Sequence, residues 1–449
     1  MGPDWSVCRL DETYDFSSGL SKPRSAFGTG FPFLAFKDVF DNYFVPEKLS
    51  ELVESSERER ERCSVREGDV FLTRTSETDN ELGMSSVALR SIPDATFNGF
   101  TKRLRPKLGV SVEPRYAGYY FRGPSFRRAV SSMASSSTRA SLNNEMLSRL
   151  TIVLPPVHEQ RRIASVLGVL DDKIQLIRRI RRTLDETAQA VFKSWFVDFD
   201  PVNAKAEGRK RGLAEDLAAV FPCGLASSLI GPVPLGWRVE QIGQHVEVER
   251  GLSYTGKGLA DAGEGVPMHN LNSVLEGGGY KYDGIKWYSG DYRRRHLVRP
   301  GDLIVANTEQ GFDHLLIGYP ALVPAAFGEA GLFSHHLYRV RPEQTSPLST
   351  PYLYCMLRDP HFHAVLAGYT NGTTVNMLPS DAFEHPRIVV PPVELVGIFS
   401  DTVRPLLERI EALHGEVQTL AGLRDTLLPR LLSGELRVAD AESALEEAV

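Results

Sequence analysis

At 449 residues, with 42% hydrophobic and 24% charged positions, the chain has room for two or three globular domains and is too apolar to be disordered. No apolar run approaches the roughly 18 residues of a membrane span. The acidic-polar start from Met1 to Leu10 has no signal-peptide pattern, so a membrane location is excluded and a cytoplasmic one expected. Four scattered cysteines (Cys8, Cys63, Cys223, Cys355) form no C-x-x-C pair, which argues against zinc and disulfides and for a reducing compartment, while the net charge of −6 argues only weakly against a polyanion partner.

In chain order, Trp5, Val7, Leu10 and Gly19 open the sequence, and Val65-Arg66-Glu67-Gly68-Asp69 reads as a turn leading into a buried strand, Val70-Phe-Leu-Thr73. Between Phe97 and Ala140 stand nine basic residues (Lys102, Arg103, Arg105, Lys107, Arg115, Arg122, Arg127, Arg128, Arg139) and one acid, Glu113. A solvated face would explain a short charge run, but so large an excess favours a face for a polyanion. Tyr116 to Phe126 reads as a short helix or strand, and Ile152-Val-Leu-Pro-Pro-Val157 as a strand stopped by prolines that also start a helix. Ile163, Leu167, Leu170, Ile174, Ile177, Leu184, Val191 and Trp195 then follow in steps of three and four, with Arg181 and Ala188 in the vacant places of the seam. Pro201 to Pro234 is rich in proline and glycine and reads as a linker.

The sequence then begins again. Trp237, Val239, Ile242 and Gly251 repeat the opening pattern 232 residues later, and Val298-Arg-Pro-Gly-Asp302 repeats the turn, followed by the strand Leu303-Ile-Val-Ala306. At an offset of 236, Leu104-Arg105-Pro106 returns as Val340-Arg341-Pro342, Arg122-Gly-Pro-Ser-Phe126 as Arg358-Asp-Pro-His-Phe362, and the proline segment as Ile388-Val-Val-Pro-Pro-Val393. Lys281, Lys286, Arg293, Arg294, Arg295 and Arg299 form a weaker basic stretch. A second heptad helix carries Phe399, Val403, Leu406, Ile410, Leu413, Val417, Leu420, Leu427 and Leu431, with Arg424 in a vacant place, and ends at Gly434, placed for a C′ cap. Glu435 to Glu447 reads as a frayed acidic tail.

Units of more than 200 residues are domain-sized duplications, not solenoid repeats. The expected fold is α/β: two similar globular domains related by pseudo-two-fold symmetry, at residues 1–157 and 234–393, joined by two long antiparallel coiled-coil helices at 158–200 and 394–434, with a linker at 201–233 and a tail at 435–449. The seam is expected to set Leu167, Leu170, Ile174 and Ile177 against Leu406, Ile410, Leu413 and Val417. Roughly 38 helical residues would span about 55 Å, with one domain at each end.

No catalytic chemistry stands out. Phe27-Gly-Thr-Gly30 resembles part of the glycine-rich turn of S-adenosylmethionine enzymes but lacks both a preceding strand and a partner motif, and reads as an ordinary turn. There is no P-loop, H-E-x-x-H or G-x-S-x-G. His335-His336 and His361-x-His363 lack accompanying ligands and read as polar surface. No metal site and no catalytic residue is expected.

Several segments carry a family resemblance: Leu154-Pro-Pro-Val-His-Glu-Gln160 leading into the heptad helix that ends at Trp195-Phe196, Pro391-Pro-Val393 with the second helix and Leu427-Leu-Pro-Arg-Leu-Leu-Ser-Gly-Glu435, the Pro-Leu-Gly-Trp237 entry, and the V-R-x-G-D turns. In this order, and duplicated, they resemble the specificity (S) subunits of type I restriction-modification systems over essentially the whole chain. The resemblance implies that each domain reads one half of a bipartite, asymmetric double-stranded DNA target and that the helices fix the spacer. It implies that two modification (M) subunits, which hold S-adenosylmethionine and methylate adenine N6, dock on the helices, and that restriction (R) subunits with ATP and Mg complete an endonuclease. This chain would hold no cofactor. Glu159-Gln160 match the family pattern, whereas Leu395-Val396 stand at the equivalent places; if that edge meets a partner, the two partner sites differ in affinity.

Three loci suit readers of DNA. The first is Arg74, Thr75 and Ser76 in one unit against Asn307, Thr308, Glu309 and Gln310 in the other: a shared strand with a divergent tip. The second is Asn98, Lys102 and Arg103 against His335 and His336. The third is Thr138 and Arg139 against Asn371, Thr373 and Thr374, where the alternative is a turn capping its own backbone. Lys37, Arg105 and Asn270 complete the DNA-binding candidates. Such domains can reach half-sites about one helical turn, roughly 34–36 Å, apart. The rival readings are a scaffold in another phage-defence complex and the recognition module of a methyltransferase or nuclease.

Overall fold

The computed structural model describes residues 4–75, 81–134, 141–209, 214–311, 313–372 and 375–448. The chain forms two compact units, one of Met1–Leu176 with Val417–Val449 and one of Ile177–Glu416. The class is mixed α/β, and the same central sheet occurs in each unit. In unit 1 the strands run in the order Tyr14–Ser18, Thr101–Pro106, Val70–Thr73, Ser85–Val87, all antiparallel. In unit 2 the order is Val246–Arg250, Leu337–Pro342, Leu303–Ala306, Pro320–Leu322, again antiparallel. Val70–Thr73 and Leu303–Ala306 are central and buried at every position, as their short, largely apolar runs suggest.

The repeated motifs pair with each other. In the V-R-x-G-D turn, Gly68 takes φ +82 and Gly301 φ +84, a region that favours glycine. The Asp69 carboxylate accepts the Arg66 N–H (2.7 Å) and two hydrogen bonds from the Arg105 guanidinium (2.7 and 2.6 Å). Asp302 does the same with the Arg299 N–H (2.8 Å) and Arg341 (2.8 and 2.7 Å). The arginine of each x-R-P motif is thus the internal partner of the turn that precedes the central strand. A bidentate pair on a fully buried Asp69 is a scaffold element, and losing one partner of such a pair costs about 3–5 kcal/mol.

The first long helix, Val157–Phe192, passes through a π-turn at Lys193–Val197 and breaks at Phe199, where φ is +52. The second runs Val393–Ser433 and ends at Gly434 with φ +71. Within unit 1, Asp171 of the first helix meets Arg424 of the second (2.8 Å). Within unit 2, Phe192 and Trp195 pack on Phe399 at 5.9 and 6.0 Å. In each unit the start of one helix lies with the end of the other, the antiparallel arrangement expected. It changes the expected pairing: Leu167, Leu170 and Ile174 share unit 1 with Val417, Leu420 and Leu427, whereas Leu406, Ile410 and Leu413 belong with Ile177 in unit 2. Two helices that are shifted copies of one list cannot match like with like once they run in opposite directions. Leu406 and Ile410 are only half-buried.

Three further expectations change. Each long helix is divided between the two units instead of standing apart at 158–200 or 394–434. The 201–233 segment is not a bare linker: it holds the helices Asp200–Ala206 and Glu215–Val220 and the hairpin Leu225–Ser228 with Gly231–Pro234, because Val202 and Phe221 are buried, the latter against Trp195 at 5.5 Å. Nor is the chain after Glu435 merely frayed: the helix Val438–Ala448 buries Val438 and Ala441, and its Glu442 pairs with Arg162 at 2.7 Å. Phe27 to Gly30 lies at an irregular register of the strand Phe27–Leu34 instead of a turn.

The Glu159-Gln160 difference is settled inside each unit. Glu159 accepts the Trp5 indole N–H (2.8 Å), and buried Gln160 accepts the Glu113 N–H (2.9 Å) and donates to Pro155 O (2.8 Å). These residues tie down their own domain and are not a free docking edge. In unit 2 Leu395 and Val396 are buried in the core. Trp237, the counterpart of Trp5, keeps a buried indole N–H without a partner among the described residues, and Ser349, the counterpart of Glu113, bonds Ser400 at 2.6 Å.

Candidate nucleic-acid interface

In unit 1 the first two loci meet where the central strand ends, joined there by the segment at Ser141. The Arg74 N–H donates to Phe100 O (2.7 Å), the Leu142 N–H donates to Arg74 O (2.9 Å), and Thr75 bridges Ser141. The chain after strand Val70–Thr73, the chain before strand Thr101–Pro106 and the segment at Ser141 therefore form one edge. Arg74 and Thr75 are half-buried, and Phe100 is 61% exposed. Asn98 turns its side-chain oxygen onto the Phe100 N–H (2.7 Å), capping its own turn. Ser76, Thr138 and Arg139 lie outside the described residues.

Unit 2 builds the same edge with more hydrogen bonds. Thr308–Gln310 pairs antiparallel with Val375–Met377, and Asn371 exchanges backbone bonds with Met377 (3.0 and 2.8 Å). Asn307 donates through Nδ2 to His335 O (3.1 Å), and Thr308 Oγ1 meets His336 Nδ1 at 2.9 Å. Loci roughly 30 to 70 residues apart in sequence thus become neighbours. Gln310 and Asn371 are exposed; Asn307, Thr308 and Glu309 are buried. Glu309 pins the following loop, its carboxylate accepting the N–H groups of Leu315, Leu316 and Ile317 (2.8, 3.1 and 3.0 Å). Asn307 Oδ1 and His335 Nδ1 are buried without a partner among the described residues, the kind of unmade bond that collects at functional edges. Burial, followed by the nearby His335, Arg250 and Lys286, holds the His336 imidazole below its usual range, so it is neutral at neutral pH. Thr373 and Thr374 lie outside the described residues.

Much of the basic excess at 97–140 is turned inward. Lys102, 8% exposed, donates to Ser18 Oγ (3.0 Å) and Asn144 Oδ1 (2.8 Å), and burial, then Arg74, lowers its pKa. Arg103, also 8% exposed, lies over Phe97 and donates to Arg62 O and Ser64 O (3.1 and 2.8 Å). Arg105 holds Asp69, as above. Arg122 donates to the carbonyls of Ser85, Val39, Phe40 and Asn42, Arg127 to Leu82 O, and Lys107 to Asp11 O. These side chains join strands and loops of their own unit. Lys102, Arg103 and Arg105 leave the set of readers for that reason, as does Asn270, a buried cap whose Nδ2 donates to Gly284 O (2.5 Å). Lys37 is exposed on the helix Phe36–Asp41.

The stretch in unit 2 that seemed weaker in sequence is the exposed one. Arg250, Arg293, Arg294 and Arg295 reach solvent, and Arg250 donates to His335 O (3.3 Å), which places it beside this edge. Lys286 donates to Tyr254 OH (2.9 Å), and the Tyr254 ring lies 6.1 Å from His335. Sequence reasoning ranked this stretch below the one in unit 1 because it counted charges and could not see which ones had internal acceptors. The usable signal was the acid content nearby: Glu57-Arg-Glu-Arg-Glu-Arg62 in unit 1 against Asp291-Tyr-Arg-Arg-Arg295 in unit 2.

Comparison with known proteins agrees with this architecture. Residues 3–186 match the sequence model of the type I restriction modification DNA specificity domain. The type I restriction enzyme MjaIX specificity subunit of Methanocaldococcus jannaschii is 24% identical over 447 residues, covering 97% of this chain and 94% of the relative. The HindI specificity subunit of Haemophilus influenzae is 25% identical over 347 residues, covering 67% of this chain and 72% of the relative. The solved S subunit of a type I restriction-modification system from M. genitalium shares the fold, with a TM-score of 0.53 at 13% identity over 95% of this chain and 96% of that one. Residues 3–186 thus carry a type I restriction modification DNA specificity domain, and the chain as a whole is similar to specificity subunits of type I restriction enzymes.

Proposed function

We propose that the chain reads a bipartite, asymmetric sequence in double-stranded DNA, one half with each unit, and that its two long helices set the spacer and carry two methyltransferase subunits in the cytoplasm. In this reading residues 1–157 and 234–393 are the recognition domains. Adenine methylation, with S-adenosylmethionine, belongs to the M partner, and ATP- and Mg-dependent cleavage to the R partner. The observation that carries the proposal is the paired edge: in both units the chain after the central strand meets two further segments, on a shared scaffold with different residues at the tips. That is what two domains reading different bases require, since scaffold and phosphate contacts position the protein and side chains at base edges discriminate.

Arg74 in unit 1 and Gln310 with Asn371 in unit 2 are the side chains with the geometry for base contacts: they sit on the edge, and no hydrogen bond ties down the side chain among the described residues. Arg74→Ala is expected to weaken binding of one half-site by about 1–3 kcal/mol, with little change in melting temperature. An equal loss on random duplex DNA, in a filter-binding titration, would make Arg74 a phosphate contact instead.

The test of the reading as a whole is methylome sequencing of a host that expresses the chain with its neighbouring M gene. Methylated adenines in one bipartite motif are expected only when both genes are present. Methyl transfer by the purified chain alone, or protection of no bipartite sequence by the complex, would overturn it.

A further inference from the structure

The two units share a scaffold but differ in charge at one place beside the reading edge. In unit 2 the end of strand Val246–Arg250, the following Gly251–Ser253 and the short helix Arg294–His296 enclose an open cavity of about 470 Å3 lined by Arg250, Arg293, Arg295 and His296, with Glu249 as its acid. Arg293 and Arg294 have no acceptor for their guanidinium groups among the described residues. Arg295 reaches Glu249 at 3.6 Å, a contact too long and too exposed to neutralise it. The short helix is held from below: Arg339 donates to Arg295 O and Leu297 O (3.2 and 2.7 Å), so the three arginines are presented from a fixed backbone.

Unit 1 has the same support and not the same charge. Arg103 donates to Arg62 O and Ser64 O as Arg339 does to Arg295 O and Leu297 O, which equates Arg62 with Arg295 and Arg60 with Arg293. Ser18 stands where unit 2 has Arg250, and it accepts Lys102. Arg60 is taken up by Asp94 (3.0 Å) and Ser55 O (2.6 Å), and Glu59 is paired with Lys22 (2.7 Å). The helix Glu57–Arg62 alternates acid and base and is neutral as a whole.

We propose that Arg250, Arg293, Arg294 and Arg295 form a phosphodiester-binding clamp present in unit 2 and absent from unit 1, so that the two half-sites are held by different physics. Unit 2 grips its half electrostatically, through backbone phosphates of the DNA strand next to the bases read by Gln310 and Asn371. Unit 1 depends more on base-edge contacts. The proposal rests on the DNA-reading function above and adds which unit anchors the complex. Guanidinium groups suit the task because their planar N–H forks match phosphate oxygens.

The experiment is filter binding of the full chain to a duplex carrying its recognised sequence, between about 50 and 200 mM KCl. The double variant R293Q/R294Q is expected to lower the slope of log affinity against log salt by about two, one for each phosphate that is no longer neutralised, and to leave the methylated motif unchanged. The charge-matched control in unit 1, R58Q/R62Q, is expected to leave the slope as it was. An unchanged slope for R293Q/R294Q, with wild-type binding intact and the variant folded by circular dichroism, overturns the clamp. An equal fall for R58Q/R62Q overturns the asymmetry. Failure of the wild-type chain to bind any duplex overturns the DNA-reading function itself, which separates that outcome from the other two.

Discussion

Seven residues inserted between Leu176 and Ile177, together with seven between Glu416 and Val417, are expected to widen the spacer between the two recognised half-sequences while both halves stay the same. These are the points at which each long helix passes from one unit to the other. Asp171 with Arg424 in unit 1 and Trp195 with Phe399 in unit 2 show the helices antiparallel within each unit, so equal insertions lengthen both partners alike. Seven residues are two turns of a heptad seam, so the buried positions on either side return to phase. The added length is about 10 Å at 1.5 Å per residue, roughly three base pairs at about 3.4 Å each. Because a domain can tilt on its helices, the firm expectation is the direction: more bases between the methylated adenines. A four-residue insertion at the same points is expected to abolish assembly, since it rotates the seam by about half a repeat. An unchanged spacer in an active seven-residue variant would mean that something other than the helices sets the distance.

Asp171→Ala is expected to lower the stability of unit 1 by about 3 kcal/mol, the lower end of the range for removing one partner of a buried pair, because this pair is only partly buried. Asp171 receives the Tyr119 hydroxyl (2.8 Å) and the Arg424 guanidinium (2.8 Å), and Arg424 also lies 5.5 Å from the Tyr43 ring. One carboxylate thus joins the domain and both long helices. Burial, then the negative Asp171 beside it, holds the Tyr119 phenol in its protonated, donating form. Removing the carboxylate leaves a buried hydroxyl and a guanidinium that keeps only Asp425 (2.7 Å), which is why the loss falls at the lower end. In calorimetry the melting temperature of unit 1 should fall by roughly 6–12 °C, taking about 2–4 °C per kcal/mol for a domain of this size. Unit 2 ties its domain to the helix differently, through Arg358 and Asp185 at 2.5 and 2.7 Å, so its transition should stay in place. A shift of less than about 1 kcal/mol would show that apolar packing of Leu167, Leu170 and Ile174 holds the helices without help from the ion pair.

Particular residues show what the sequence could and could not convey. The duplication, the two long helices and their antiparallel sense were legible, because an apolar step of about 3.5 residues and an offset of 236 survive in one dimension. The central strands were legible because a short, largely apolar run after a Gly-Asp turn has few other uses. The convergence of Arg74 with Ser141, or of Asn307 with His335 and Met377, was suggested by divergent tips on a shared strand, although nothing in the spacing required them to meet.

The charges were read least well, and the reason is physical. A guanidinium has five N–H donors, and its role depends on whether oxygen atoms of its own fold satisfy them. Arg105 and Arg341 complete the aspartates of the two turns and Arg122 gathers four carbonyls, while Arg293 and Arg294 face outward, yet all are the same letter in the sequence. Likewise Glu159 and Leu395 occupy equivalent places, and only packing shows that one accepts an indole N–H and the other fills the core. The sequence by itself determined the repeat, the two long helices, the central strands and the family resemblance, because those depend on patterns along the chain. The tertiary structure alone decided which polar groups are paired within the fold and which face outward, because hydrogen-bond satisfaction is a property of neighbours in space.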